Sequence, residues 1–379
     1  MSPLHSSAPP VDLAVVGAGI VGLAHAVEAL ARGLSVTVVE RDDRPVGASV
    51  RNFGHGCITA QTGEALDAAN RARTTWLRMA RAAGFWAGET GTVAVARSGE
   101  ELDCLAELAE RRGRDEVVPL TAAQVRDRVP VAADGLLGGA VLPRDIRVDP
   151  RAAAPAIARW VEQQPGATVH WSTAVTGVAE GVVHTARGDV AAHRVVVCAG
   201  HDLDRLLPAV AEDAGVRRCV LQMLQVRPPA GLRVPAAVIT GSSMLRYPAL
   251  AGTAGAAALR QRWAAERPEL LDAVVNHMLT QLPNGDLVVG DTHAYAPTVG
   301  PFDPPASERL DDLLLAETRA LLGCAPRVVH RWRGVYASSD TTTPFLRAKL
   351  APGAVAVSVT SGIGMTTAFG LAPDVLDSL

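Results

Sequence analysis

The chain runs to 379 residues, 48% hydrophobic and 20% charged, with a net charge of −3, a length that holds two domains and the balance of a soluble globular protein. No Lys/Arg cluster supplies a surface for nucleic acid, and no apolar run approaches the length of a membrane span. Cys57, Cys104, Cys198, Cys219 and Cys324 are odd in number and form no C-x-x-C pair, which suggests neither a zinc site nor a disulfide framework and fits a reduced, cytoplasmic setting.

Residues 1–10, MSPLHSSAPP, lack a basic and an apolar region and read as a loose tail, not a signal peptide. An apolar strand over 13–16 then enters Gly17-Ala18-Gly19-Ile20-Val21-Gly22. A helix over 23–30 follows, Gly33 ends it, and a β-branched strand over 36–39 closes on Glu40. Strand, glycine turn, helix, strand and acid together are the pattern of a dinucleotide-binding unit. Gly17 permits the tight turn, Gly19 lets backbone approach a pyrophosphate, and Gly22 lets the helix sit close on the strand. The helix N-terminus presents N–H groups to the phosphates. Glu40 stands about 20 residues on, where an acid accepts from ribose hydroxyls, which favours NAD or FAD over NADP.

The stretch 41–60 is rich in Gly, Ser and Asn and is expected as a loop at the carboxyl ends of the strands, where ligands bind. Ser49, Arg51 and Asn52 are placed to hold phosphate or ribitol oxygens. Gly54 and Gly56 let backbone approach a flat ring. His55 is the first candidate active-site residue, the alternative being a loop histidine satisfied by its own hydrogen bonds. Periodicity predicts a helix over 63–83, a strand over 92–96, a helix over 98–112 with an acidic solvated face, and a short helix over 121–129. Asp149-Pro150 marks a helix start, cap then proline, running to about 164.

A strand follows over 167–171, then hairpin arms over 174–178 and 181–185. The buried strand ending in Val197-Cys198 runs into Ala199-Gly200, a small-residue turn that lets the chain pass close to a cofactor. From 216 the character changes. Strands are expected over 220–226 and 234–239, a helical stretch over 260–280 divided by Pro268, and a turn at Asn284-Gly285. Gly290-Asp291-Thr292-His293-Ala294-Tyr295 is a polar strand end placed to face a pocket, and a helix over 308–322 closes a mostly antiparallel region. Strands over 328–334 and 354–359 follow. The second runs into Thr360-Ser361-Gly362-Ile363-Gly364-Met365-Thr366, which opens a second helix N-terminus suited to partial negative charge on a ring carbonyl.

Taken in this order, GAGIVG with Glu40, a G-A-S-x-x-N-x-G loop, V-V-V-C-A-G and S-G-I-G-M-T resemble the D-amino-acid-oxidase-type FAD oxidoreductases, the family of glycine and sarcosine oxidase. The resemblance runs from Val11 to about Pro373. ASVRNFGHG, GDTHAYAP and RWRGVYAS further resemble a subgroup found beside genes for 2-aminoethylphosphonate breakdown. The resemblance implies an α/β fold: a Rossmann-type FAD-binding domain (1–85, 145–215 and 326–379) interleaved with a mostly antiparallel α+β substrate domain (86–144 and 216–325). It implies FAD held at the pyrophosphate by Gly17, Gly19, Ile20, Val21 and Gly22, at the ribose by Glu40, and along the pyrophosphate and ribitol by Ser49, Arg51 and Asn52. Arg41 and the Val175 backbone would meet the adenine, Ala199 and Gly200 would run beside the cofactor, and Gly362, Ile363, Gly364, Met365 and Thr366 would face the O2 side of the ring.

Two departures from the family pattern matter. The family motif W-x-G-x-R-P usually supplies an Arg for the substrate carboxylate, whereas Trp332-Arg333-Gly334-Val335-Tyr336-Ala337 places Tyr336 there. That points to a small amine bearing another anion, a phosphonate above all, with Arg246, Tyr247, Tyr336 and a histidine as spread donors. The positions that carry covalent flavin in some relatives correspond to Arg51 and Gly334, so FAD is expected to be non-covalent. His55, His293 and Tyr336 are expected on the substrate face of the ring. The implied reaction is oxidation of a C–N bond, with O2 as electron acceptor and H2O2 released; no obvious general base stands out. Three alternatives remain: a glycine, sarcosine or D-amino-acid oxidase anchored by Arg246, Arg331 or Arg333; a dehydrogenase using another acceptor; and a flavoprotein without turnover.

Overall fold

The computed structural model describes residues 9–300, 306–341 and 343–379; residues 1–8 of the expected tail lie outside them. Strands Val11–Val16 and Val36–Val39 pair in parallel, Leu13 beside Val36 and Val16 beside Val39, with helix Ile20–Ala31 connecting them. On its other side Val11–Val16 pairs in parallel with Gly188–Val197, which in turn pairs with Ala354–Val359. Ala167–His170 extends the sheet beyond Val36–Val39, and the hairpin Val175–Ala179 with Val182–Thr185, together with Phe345–Ala351, brings it to eight strands. Parallel strands need cover on both faces. Leu13, Val15, Val36 and Val38 are fully buried in a cluster with residues of helices Ile20–Ala31, Gly63–Ala83 and Gly364–Asp377, while Ala14, Val16, Val195 and Val197 belong to a second cluster. This is the Rossmann-type layer that the glycine turn implies.

Two of those helices meet backbone to backbone. A Cβ on Gly370 would stand 1.9 Å from the Ala68 carbonyl oxygen. Trp76 closes the seam, edge-on to Phe369 at 5.0 Å between centroids, and donates from Nε1 to the Met365 carbonyl at 2.7 Å. Burial of a side chain this size contributes roughly 3 kcal/mol, and the bond pins the first turn of the C-terminal helix.

The second sheet also has eight strands, in the order Arg327–Ser339, Val216–Arg227, Leu287–Ala296, Met278–Gln281, Ala237–Ile239, Thr92–Ala96, Gly138–Leu142 and Val118–Thr121. Only Ala237–Ile239 beside Thr92–Ala96 is a parallel pair. Arg327–Ser339, which opens the third expected FAD-binding segment, is hydrogen-bonded in this sheet. Leu105, Leu108, Leu259 and Trp263 share one buried cluster with strand residues such as Val93 and Val238.

The stretch 260–280 is not helical to its end. It divides into Ala254–Glu266 and Pro268–Asp272 and then becomes the strand Met278–Gln281. Pro268 lacks the N–H that would continue the first helix. Beyond Asp272, pairing with strands on both sides outweighs helical spacing. The short strands Val118–Thr121, Gly138–Leu142 and Ile146–Val148 carry no clear period of two and take their conformation from their neighbours.

Candidate active site

Both sheets line one cavity of about 1210 Å³, larger than the roughly 300–1,000 Å³ of most small-ligand sites. Of the residues singled out for cofactor or substrate, Gly22, the ring-approach glycines Gly54 and Gly56, and the alternative anchors Arg331 and Arg333 are not part of its lining; the others line it. Gly22 works from behind the wall: a Cβ there would stand 1.9 Å from the Gly17 carbonyl oxygen. Its glycine permits the close approach of helix to turn and does not itself face a ligand.

The parallel-sheet wall is built by main chain. Gly17 has φ +99°, and a Cβ on it would meet the Cys198 carbonyl oxygen at 2.5 Å, so the turn nests against the strand that leads to Ala199-Gly200. Ser49 Oγ accepts from Ile20 N at 2.8 Å and so caps the helix from the neighbouring loop. Glu40 Oε2 accepts from Ala18 N at 2.7 Å and Oε1 from Asp42 N at 3.0 Å. Each carboxylate oxygen keeps a second lone pair for a ribose hydroxyl. Asn52 is spent on its own loop, donating to the carbonyls of Ala48 and Ser49 and accepting from Gly54 N at 2.7 Å. Arg51 donates to the Arg333 carbonyl at 3.3 Å, and Arg41 pairs with Asp202 at 2.7 Å.

The antiparallel-sheet wall is built by side chains set in rows by strand register. Cys219 stands level with Tyr295 on one side and Tyr336 on the other, and Leu221 level with His293 and Gly334. Along Leu287–Ala296, period two puts Asp291, His293 and Tyr295 on one face, and all three line the cavity. Arg246 reaches this row from the turn after helix Gly241–Met244, donating to Tyr295 Oη at 3.1 Å and to Tyr336 Oη at 2.9 Å. The Tyr336 ring packs on the C-terminal turn: a Cβ on Gly362, at φ +76°, would lie 3.0 Å from the phenol. Burial pushes the phenols of Tyr336 and Tyr247 well up, so both stay protonated. Tyr247 donates to Met278 Sδ at 3.5 Å. Of the three alternative anchors, Arg246 lines the cavity; Arg331 pairs instead with Asp311 at 3.0 Å.

His293 lies beside Tyr336, with ring centroids 6.4 Å apart. His55 lines the same cavity but belongs to a separate network. Its Nε2 donates to Thr92 Oγ1 at 2.6 Å, and Thr92 donates to Asp145 Oδ2 at 2.7 Å. Asp145 Oδ1 also accepts from Ile58 N and Thr59 N at 2.9 and 3.0 Å. Among the described residues His55, Cys57 and Asp145 bring their ligand atoms within 4.8 Å of one another. Hydrogen-bond donors already fill that carboxylate, and burial pushes the Cys57 thiol well up, which keeps it a poor metal ligand.

Asp291, Tyr295 and Asn276 also line the cavity, and none was singled out from the sequence. Asp291 and Tyr295 lie in the polar strand end flagged as pocket-facing, and alternation from His293 would have found them. Asn276 carries no such signal.

The family model described as FAD dependent oxidoreductase, DAO, matches residues 12–376. The fold is similar to glycine oxidase from Geobacillus kaustophilus, with a TM-score of 0.78 and 21% identity over 98% of this chain and 95% of that one. Iminodiacetate oxidase (IdaA) from Chelativorans sp. BNC1 aligns with a TM-score of 0.74 and 17% identity over 96% and 94%. L-alpha-glycerophosphate oxidase from Mycoplasma pneumoniae, solved with FAD bound, aligns with 0.76 and 17% over 97% and 94%. No curated protein matches the chain. The residues present fit FAD. The cavity, at about 1210 Å³, is larger than most small-ligand sites, Gly17 and Gly19 leave main chain bare where a Cβ would meet neighbouring atoms at 2.5 and 3.2 Å, and two helices open onto it.

Proposed function

The chain belongs to the DAO family of FAD dependent oxidoreductases, and from that premise we propose that it oxidises the C–N bond of a small amine carrying a phosphonate, 2-aminoethylphosphonate or an N-methyl derivative. The parallel-sheet part would hold FAD and the antiparallel part the substrate, with the glycine turn, Glu40, Ser49, Val175, Ala199-Gly200 and the Gly362–Thr366 turn as the cofactor's contacts. FAD, when bound, would supply the two-electron acceptor for the C–N bond, with O2 as the proposed final acceptor.

One observation carries the substrate reading: the fork of Arg246 between two phenols. Each phenol oxygen accepts from the guanidinium, and its O–H, which also has Cys219 within reach, can turn to a ligand. An anion bound beside them would have two hydroxyl donors and a fixed positive charge to draw on. A carboxylate has two oxygens and is satisfied by a bidentate guanidinium; a phosphonate has three and suits the wider set. Solved neighbours of this fold include an oxidase named for glycine and one named for glycerophosphate.

The test is H2O2 release from the purified holoenzyme with 2-aminoethylphosphonate, its N-methyl form, glycine, sarcosine and D-alanine. Higher kcat/KM for the phosphonates supports the reading. A preference for the three carboxylates overturns the phosphonate and leaves the amine oxidase, with Arg246 as its carboxylate anchor. Reduction of the enzyme by an amine without H2O2 release indicates a different electron acceptor.

A further inference from the structure

Asp291 and His293 face the cavity from one strand, two residues apart. His293 Nδ1 lies 2.9 Å from the Val274 carbonyl oxygen, which only accepts, so Nδ1 carries the proton and Nε2 presents a bare lone pair. That lone pair lies 3.6 Å from Asp291 Oδ2. The other carboxylate oxygen, Oδ1, accepts from Asn276 Nδ2 at 3.1 Å, and reciprocal main-chain bonds of 2.8 Å hold Asn276 and Asp291 in register. Two acceptors thus converge on one point of a buried wall. Such a pair is satisfied by a proton on the carboxyl or by an N–H group from a ligand.

We infer that Asp291, held by Asn276 and backed by the lone pair of His293, receives the substrate's amino group and takes its ammonium proton. This deepens the amine-oxidase reading and rests on it. The amino group enters as R–NH3+. One N–H bond breaks, its electron pair stays on nitrogen, and an O–H bond forms on the Asp291 carboxylate. The amine is then neutral, as loss of a hydride from the adjacent carbon requires. Asp291 suits the exchange, since burial lifts its carboxyl to about 7 against the opposing pull of Arg246 and Asn276. Burial and Arg246 push His293 well down, so the imidazole offers a lone pair and does not compete for the proton. The titratable and charged groups that act on Asp291 are Arg246 and Tyr247 from the Gly241–Ala251 region, Cys219 from Val216–Arg227, and His293 on its own strand. Arg246 stands on the same wall as the acceptor pair, so the site offers a cation for the anion and an acceptor for the amine.

The experiment compares wild-type, D291N and D291E holoenzymes over about pH 6 to 10. It uses the best amine from the panel, with ethylphosphonate and acetate as amine-free probes read by flavin absorbance. For D291N the expected loss in kcat/KM at pH 7 is about 100- to 10,000-fold. The loss should shrink about tenfold per pH unit as the free neutral amine becomes abundant, and D291E should recover part of it. Affinity for the amine-free probe should change less than about threefold, because the anion end is intact. A D291N enzyme that keeps the wild-type pH profile overturns the inference alone. If D291N does not retain flavin, the profile is read in D291S and D291A, which also lack the carboxylate, and a wild-type profile in either likewise overturns it. A wild-type enzyme inactive on every amine overturns the reading beneath it, a distinguishable outcome.

Discussion

On the parallel-sheet wall the atoms that shape the cavity are main-chain atoms: the carbonyls of Gly17 and Cys198 packed where side chains would stand, and Ala18 N and Ile20 N held by Glu40 and Ser49. On the antiparallel-sheet wall they are side-chain atoms, with Arg246 spanning Tyr295 and Tyr336, and Asp291 against His293. On the proposed reading the first wall would hold the large, constant FAD by shape and backbone, and few substitutions fit it. On the same reading the second would hold a small ligand by charge, and substitutions there would re-tune the ligand without disturbing the fold. This difference orders the expected mutational effects.

The largest effect belongs to the first wall. Gly22→Ala puts a methyl group 1.9 Å from the Gly17 carbonyl oxygen, where only movement of helix or turn relieves it. The expected loss is about 3 kcal/mol or more in urea unfolding, with little FAD retained per chain. A yellow Gly22→Ala protein of wild-type stability would break the claim that backbone contact shapes this wall.

Arg246→Ala comes next and belongs to the second wall. It removes a half-buried guanidinium from two phenol partners. KM for anionic amines should rise roughly 100- to 1,000-fold, with kcat changed less than about fivefold, because an anchor remote from the C–N bond holds ground and transition states alike. FAD content should not change. Steady-state kinetics with a neutral amine such as ethylamine sharpens the point: its KM should not follow. Glu40→Ala is the mirror experiment. FAD affinity should fall about 10- to 100-fold while KM of the saturated enzyme stays put, as read by flavin fluorescence on dilution. Equal losses of FAD and substrate in either variant would mean that the two walls are not separable.

The same division explains what was legible in the sequence. A glycine needed for a turn is visible at any distance from its ligand, because the demand is local: Gly17 to Gly22, Glu40 and the Gly362–Gly364 turn announce themselves within a few residues. Strand and helix spans such as Val36–Val39 and Gly63–Ala83 follow from composition and period alone. The second wall depends on register between strands far apart in the chain. Nothing local to Cys219, Tyr295 or Tyr336 says that they stand level. His55 shows the opposite hazard. Its loop position suggests chemistry, yet its ring is tied to Thr92 and through it to Asp145. Asp291 lay in a strand end read as pocket-facing, but its own role had no signal there; its burial and the bare nitrogen of His293 supply one.

The smallest expected effect bears most on the choice of anion. Tyr336 Oη accepts from Arg246 Nη2 at 2.9 Å and has one proton left to donate. Tyr336→Phe removes that donor and one of the two partners that orient the guanidinium, while the ring remains to pack on Gly362. A carboxylate's two oxygens are still met by the guanidinium fork. The third oxygen of a phosphonate then loses its partner. KM should therefore rise about 5- to 10-fold for 2-aminoethylphosphonate and about 2-fold for glycine or sarcosine, the loss of one hydrogen bond against none. Parallel kinetics on both classes, at matched FAD content, reads the difference. Equal changes would mean that Tyr336 acts only by orienting Arg246, and the geometric case for a phosphonate over a carboxylate would then rest on Tyr295 alone.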